Sequence, residues 1–291
     1  MIRLWKSKRK GKGKLYYSVD AVVKCQCDGF DEQFEIDPED KLGEGGNAVV
    51  YKCRCQSSGE DYAIKIQVVN YVSANVRFER EVTVLKNVHH DQLMSCVASG
   101  KIRMTLKGQP RRYPYVIMPM ADRNMSDLIQ GNGVPTQEVL FGQFCGLSEA
   151  LSELHRVALH RDIKPENVLI KGATWILSDF GLCKLEIDGG PDITMDNAKV
   201  GPVFWMSPES MNRVLENDDE ITKASDVFQL ASVFWFAATG RHPTGIVSRS
   251  DWNGPESVYN VLAKALSHSP SERPQDGAEF HSQIVEAVRH A

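Results

Sequence analysis

The chain has 291 residues, 42% of them apolar and 25% charged, with a formal net charge of −4. That is enough chain for a large core or a two-lobed unit of ordinary globular composition, and the near-neutral total excludes a molecule that binds polyanions over its whole surface. The longest apolar run, residues 227–239, is about 13 residues, contains Gln229 and Ser232, and falls short of the ~20 needed to span a bilayer, so it reads as a buried helix.

In chain order, residues 1–14 hold seven of the 34 Lys and Arg (Arg3, Lys6, Lys8, Arg9, Lys10, Lys12 and Lys14) and no acid. They read as a disordered basic arm ahead of an acidic body. Its choices of partner are an acidic protein, nucleic acid or anionic lipid, against the plainer reading of a solvated tail. The N-terminus has no apolar core of a secretory signal, so the seven cysteines read as reduced thiols of a cytoplasmic protein. Residues 15–27 have strand character. Residues 28–40 are acidic and turn-rich, with a brief strand at 34–36. From Lys41 the order is strand, glycine-rich turn, strand, Ser57-Ser58-Gly59 turn, strand. Residues 76–87 read as a helix with Val76, Phe78, Val82 and Leu85 on one side. Strands at 93–106 and 113–120 follow.

Beyond Ala121 the pattern turns helical. Leu140, Phe144, Leu147, Leu151 and Leu154 recur at three or four residues, with Thr136 as expected N-cap and Glu138 in the first turn. Residues 182–207 have no period. Helices are expected at 223–239, 255–267 and 278–290. A strand-rich front and a helix-rich back, without internal repeats, suggest two lobes with a cleft between them.

Three segments carry chemistry. Residues 160–170 read HRDIKPENVLI, and Asp179-Phe180-Gly181 follows a short strand-like stretch. Asp162 offers a carboxylate, Lys164 a cation two residues on, and Asn167 an amide five residues on. Phosphoryl transfer needs such parts: a group to position a hydroxyl, a charge for the moving phosphoryl, and oxygen ligands for Mg²⁺. Gly43-Glu44-Gly45-Gly46-Asn47-Ala48-Val49-Val50 is a glycine-rich turn between strands, where backbone can approach phosphate oxygens. By itself it could equally be an ordinary hairpin, but Ala63-Ile64-Lys65 follows it.

Together these motifs resemble the eukaryotic-type (Hanks-type) protein kinases, over about residues 35–285. The likeness is to compact single-domain members, of the kind encoded by bacteria or their phages as well as by eukaryotes. It implies an α+β, two-lobed protein kinase fold: a small antiparallel β-sheet N-lobe with one main helix, and a larger, mainly helical C-lobe. Residues 1–30 would be the basic arm and extension, 31–121 the ATP-binding lobe and 122–291 the catalytic lobe. The resemblance assigns ATP contacts to Gly43, Gly45, Gly46, Val50, Ala63 and Lys65, with Glu81 as the partner of Lys65. Glu79 is the rival on the same helix. Met118, Pro119 and Ala121 would form the adenine-binding hinge; Pro119 lacks an N–H but keeps the carbonyl used there. Asp162 would orient the substrate hydroxyl and take its proton, and Lys164 would neutralise γ-phosphate charge. Asn167 and Asp179 would ligate Mg²⁺, with Mn²⁺ an alternative. His160 and Phe180 are assigned to packing.

Further along, Ser207-Pro208-Glu209 stands where the family carries Ala-Pro-Glu. Arg273 matches the arginine that pairs with that glutamate, and Asp226 the aspartate that braces the catalytic loop. The substrates implied are proteins. Lys164 favours Ser/Thr specificity, whereas Pro202-Val203-Phe204-Trp205 looks like the tyrosine-kinase loop, so tyrosine or dual specificity is the alternative. Thr194 is the expected autophosphorylation site. A pseudokinase scaffold or a small-molecule phosphotransferase fits the motif set less well. Cys25, Cys27, Cys53 and Cys55 form two C-x-C pairs that four thiolates could turn into a Zn²⁺ site. Their spacing is not the usual C-x₂-C, and packing as small hydrophobes is the preferred reading.

Overall fold

Residues Val49, Tyr51, Cys53 and Cys55 are buried, while Val50, Lys52 and Arg54 between them are not. This period of two is the mark of a half-buried strand, and it organises the first half of the chain. The computed structural model describes residues 2–6, 15–20, 22–27, 30–69, 71–106, 108–186 and 204–291. Its contacts divide into two units, residues 1–86 with 95–120, and residues 87–94 with 121–291.

The first unit contains β1 (Ile2–Lys6), β2 (Leu15–Val19), β3 (Val22–Cys27), β4 (Phe30–Glu44), β5 (Ala48–Cys55), β6 (Asp61–Gln67), α1 (Val72–Asn87), β7 (Ala98–Leu106) and β8 (Gln109–Pro119). The strands form one antiparallel sheet in the order β1-β2-β7-β8-β6-β5-β4-β3. One face gathers Leu4, Val19, Val23, Phe34, Tyr51, Cys53, Cys55, Ile64, Ile66, Met104 and Ile117 into a core. Leu4, Val19 and Val23 come from the N-terminal extension, which therefore helps to close this core. Ile2–Lys6 is strand rather than the expected disordered arm; residues 7–14 lie outside the described residues.

Two further expectations need correction. The acidic stretch 28–40 is not mainly turn. Most of it belongs to the 15-residue β4, where Phe34 and Ile36 fill the core and the intervening acids face water. Register shifts near Lys41 and Gly43 let this long strand bend along β5. The strand expected from residue 93 starts only at Ala98, because Gln92, Leu93 and Met94 bond to Leu177 in the second unit. Helix α1 begins four residues before the expected 76.

The second unit contains β9 (Arg123–Asn124), α2 (Met125–Asn132), α3 (Gln137–Leu154), β10 (Ala158–Leu159), β11 (Val168–Lys171), β12 (Thr174–Leu177), β13 (Lys184–Leu185), α4 (Pro208–Val214), α5 (Lys223–Thr239), α6 (Glu256–Ala265) and α7 (Gly277–Arg289). Thr136 is the N-cap residue of α3, though its side chain makes no capping bond, and Glu138 lies in the first turn. Helix α5 has the expected bounds. It starts with Thr222 N–H donating to Ser225 Oγ (3.0 Å) and stops at Gly240, whose φ of 69° suits a residue without Cβ. Phe144 of α3 stacks on Phe234 of α5 at 4.0 Å between ring centroids, and Phe234 lies 5.9 Å from Phe280 of α7. Burying each such ring stabilises the unit by about 1.5–3 kcal/mol. These three helices form the frame on which the 160–180 segment is held. No described helix is long and apolar enough to cross a membrane.

Candidate active site

In the first unit, β4 and β5 are joined through Gly45-Gly46-Asn47, with Gly45 N–H donating to Ala48 O at 2.9 Å. A Cβ on Gly43, Gly45 or Gly46 would meet nothing nearer than 3.9 Å, and none of the three has positive φ. The fold itself therefore makes no demand for glycine at these positions. Open backbone here is free to approach a ligand, as a phosphate cradle requires. The turn is tethered twice: Val68 N–H donates to Asn47 O (2.9 Å), and the Tyr71 hydroxyl to Asn47 Oδ1 (3.0 Å).

Lys65 stands opposite Val50 and Val116 in the register, and Ala63 opposite Lys52 and Met118. By strand alternation these residues share the face turned away from the Tyr51–Ile64–Ile117 core. Helix α1 brings Glu81 to that face, where Lys65 Nζ and Glu81 Oε1 are 2.5 Å apart. Glu81 is buried and Glu79 is exposed, as Phe78 and Leu85 on the inward side require. Pro119 ends β8 opposite Tyr62, and Ala121 opens the second unit.

In the second unit, Asp162 is buried and accepts bonds from Lys164 Nζ (3.0 Å) and Asn167 Nδ2 (2.9 Å) on its Oδ2. Asn167 Nδ2 also donates to Asp162 O (2.7 Å). Burial pushes the Asp162 carboxyl above its ordinary value, and the ammonium of Lys164 offsets only part of that. Because Asn167 turns its NH₂ to Asp162, the amide oxygen is the atom it presents elsewhere. That oxygen and the carboxylate of exposed Asp179 are hard donors of the kind Mg²⁺ takes. The chemistry of this donor pair fits the ion, which usually keeps waters and substrate phosphates as its other ligands.

Arg161 and Asp179 have φ of 69° and 64°. Side chains other than glycine rarely adopt that region, at a cost of about 1–3 kcal/mol each, and such strain clusters at functional sites. Its restraint is visible at Arg161. Asp226, fully buried at the start of α5, accepts from His160 N (2.7 Å) and Arg161 N (2.8 Å), and Gln229 Oε1 from Ile163 N (3.1 Å). Burial alone would raise the Asp226 carboxyl, but the bond and charge of His155 and the backbone donors hold it below its ordinary value. His155 Nδ1 accepts from Gly277 N at 2.9 Å, so its Nε2 carries the proton that faces Asp226 Oδ2 at 3.1 Å. His160 packs on Phe180 with ring centroids 5.2 Å apart, and burial lowers its pKa.

Residues 36–290 match the protein kinase domain family. The chain belongs to that family. Among curated relatives, this kinase domain is 27% identical over 267 residues to "Serine/threonine-protein kinase PknB" of Mycobacterium tuberculosis, covering 84% of this chain and 41% of that protein. It is 27% identical over 269 residues to "Probable serine/threonine-protein kinase PknB" of Bifidobacterium longum, covering 84% and 38%. It is 25% identical over 273 residues to "Proline-rich receptor-like protein kinase PERK4" of Arabidopsis thaliana, covering 86% and 40%. The chain thus spans about two fifths of the length of these relatives. The α+β fold, with an antiparallel sheet unit and a helical unit, is that of the protein kinase domain.

Several predicted positions lie outside the described residues or away from this site. Thr194, Pro202 and Val203 lie outside the described residues. So do the side chains of Cys25 and Cys27, while Cys53 and Cys55 are buried in the apolar core of the first unit. Among the described residues no group of three or more His, Cys, Asp and Glu is placed to hold a metal ion. Sequence reasoning missed Gln229, His155 and Tyr71. The signal for Gln229 was available: a polar residue three positions after Asp226, inside an otherwise apolar helix, is rarely buried without a partner. No local signal marks the Tyr71–Asn47 bond, which depends on how α1 meets the turn.

Proposed function

We propose that this chain is a protein kinase that transfers the γ-phosphoryl group of ATP to Ser and Thr hydroxyls of proteins. The observation that carries the reading is the Asp162–Lys164–Asn167 cluster, held in a strained loop whose backbone donors end on Asp226. Asp162 accepts the proton of the substrate hydroxyl, and its carboxylate is kept in orientation by the Asn167 amide. Lys164 places a positive charge where the γ-phosphoryl oxygens gather charge. Asn167 and Asp179 would hold Mg²⁺, which supplies charge neutralisation to the phosphates. In the first unit, Lys65 binds α/β-phosphate oxygens while Glu81 fixes its ammonium. Gly43, Gly45 and Gly46 let the backbone close on the phosphates beside Val50. Ala63 and Met118 line the adenine, with the Pro119 carbonyl and Ala121 N–H as its polar contacts. Catalysis is then positioning and electrostatics, with no covalent intermediate on the enzyme.

Lys164 and the names of the relatives support Ser/Thr specificity. The tyrosine or dual-specificity reading rests on Pro202-Val203-Phe204-Trp205. Its observation here is Trp205, seated against Phe236 and His242 at 5.6 and 4.4 Å between ring centroids, a rigid base for a flat substrate ring. Thr194 is the proposed autophosphorylation site. A cytoplasmic setting goes with the use of ATP and with thiols such as Cys55 and Cys183 that are not joined in disulfides.

The test is Mg·ATP autophosphorylation of wild type beside Asp162→Asn, read by phosphosite mass spectrometry. Phosphate on Ser and Thr, Thr194 included, in wild type alone is expected. Phosphotyrosine would move the assignment to the second reading. Phosphate in neither protein, with Mg·ATP still bound, would leave a scaffold.

A further inference from the structure

Two sequence segments far apart in the chain are basic. Residues 1–20 hold seven Lys and Arg with a single acid, Asp20, and residues 98–119 hold five with none. The sheet order β1-β2-β7-β8 makes the strands of the first segment neighbours of those of the second. Ser18 of β2 is opposite both Arg3 of β1 and Thr105 of β7, and Arg103 of β7 is directly opposite Arg112 of β8. Ile102, Met104 and Tyr113 point into the core, so alternation sends Lys101, Arg103 and Arg112 to the outer face. Arg3, Lys101, Arg103 and Arg112 are all exposed.

Like charges directly opposite on a sheet oppose folding. Among the described residues no carboxylate offsets them here. Salt bridges among the described residues of this unit include those of Lys41, Lys52, Arg54 and Lys65, and none of the four basic residues has a carboxylate partner among the described residues. Asp20, just beyond β2, is exposed and bridges to none of them. A face that keeps an Arg–Arg pair without a counter-charge is complementary to an external anion. Three of the four are arginine, whose planar fork binds phosphate oxygens in pairs. Among the described side chains, the exposed large hydrophobic residues are Leu42, Tyr71, Val72, Val134, Val139, Phe204, Leu215 and Ile246, and none of these lies on β1, β2, β7 or β8. A protein partner would want an apolar anchor at the centre of the interface, and a membrane an apolar wedge. A phosphodiester backbone wants neither.

We infer that the outer face of β1, β2, β7 and β8 binds nucleic acid through its phosphate backbone, without reading bases. The site lies on the same face of the sheet as Lys65, further along β7 and β8 from Val116, but uses none of the residues assigned to phosphoryl transfer, and the inference does not depend on that assignment.

The experiment is fluorescence anisotropy of the full chain with labelled 20-nucleotide single-stranded and duplex DNA and RNA, across a salt series. Poly-glutamate and phosphatidylserine vesicles serve as rival anions. Each phosphate contact contributes about 0.9 to the log–log salt slope for duplex and about 0.7 for single strands. Arg103→Gln/Arg112→Gln should therefore flatten the slope by roughly 1.4–1.8 and weaken binding at low salt. Lys171→Gln, an exposed lysine of the second unit, should leave both unchanged. Thermal unfolding of the double variant at or above the wild-type midpoint would show that the fold is intact. The proposal is overturned by any of three results: no nucleic-acid binding at low salt, tighter binding of poly-glutamate or vesicles than of nucleic acid, or a slope unchanged in the double variant.

Discussion

Arg273 holds Glu209 with both terminal nitrogens, Nη1 to Oε1 and Nη2 to Oε2, each at 2.8 Å. The two residues are 64 positions apart, and both are buried. The remaining guanidinium hydrogens go to the carbonyls of Ser267, His268 and Ala224, and Ser225 Oγ adds a bond to Glu209. A buried ion pair is tolerable only when its hydrogen bonds are satisfied to this degree.

Removing one partner should therefore be severe. Arg273→Ala leaves a buried carboxylate without its counter-charge, and a loss of about 3–5 kcal/mol in urea unfolding is expected. The pair also sets a pH dependence. Burial would raise the Glu209 carboxyl, but the bonds from Arg273 and Ser225 outweigh it and hold it below its ordinary value. A carboxyl with a lowered folded pKa stabilises above its unfolded pKa, and that stability is lost as pH falls through the folded value. Wild type should lose stability as pH drops below roughly 4.3, the ordinary glutamate value, and Glu209→Gln should lack this part of the slope.

The Lys65–Glu81 pair makes a different prediction, because the two act as a unit. Lys65→Met should lower phosphoryl transfer by about 10²–10³-fold. Glu81→Gln should fall in the same direction through a mispositioned ammonium. In a double-mutant cycle the pair should be strongly non-additive, with Lys65→Met/Glu81→Gln little worse than Lys65→Met alone. Additive losses would mean that Glu81 acts independently of Lys65.

Gly277 begins α7 against the backbone of α3. A Cβ there would lie 2.5 Å from Ser152 N and 2.6 Å from Leu151 C, atoms that cannot step aside. Its N–H is also the donor to His155, which in turn meets Asp226. Gly277→Ala should cost about 1–3 kcal/mol in denaturant unfolding through overpacking. It should also reduce the turnover number, because the shift passes through His155 to the brace of the catalytic loop. Unchanged turnover in the folded variant would limit Gly277 to packing.

Tyr71 is half exposed, yet its hydroxyl reaches Asn47 in the glycine-rich turn. One neutral hydrogen bond contributes about 0.5–1.5 kcal/mol. Tyr71→Phe should raise the KM for ATP roughly two- to tenfold, the equivalent of that energy, with little change in the melting temperature. An unchanged KM would show that the turn needs no tether from α1.

The sequence by itself determined which residues are proposed for the chemistry. Asp162, Lys164, Asn167 and Asp179 lie within 18 residues of one another, and short spacing is enough to reveal groups that a single loop and turn present together. It also determined helices such as α5, whose apolar run and terminal glycine are local signals. Glu81, assigned by resemblance, lies at helical spacing from Phe78 and Leu85, which face inward on α1. Tertiary structure alone decided the rest. The acids of β4 hide a period of two set by Phe34 and Ile36, and only pairing on both sides makes that segment a strand. Strand Ile2–Lys6, read from sequence as part of a basic arm, is ordered by pairing with β2 and adding Leu4 to a core made elsewhere. Gly277, His155 and Asp226 are joined, and Arg3 shares a face with Arg103, because packing and strand order set long-range neighbours that no local spacing encodes.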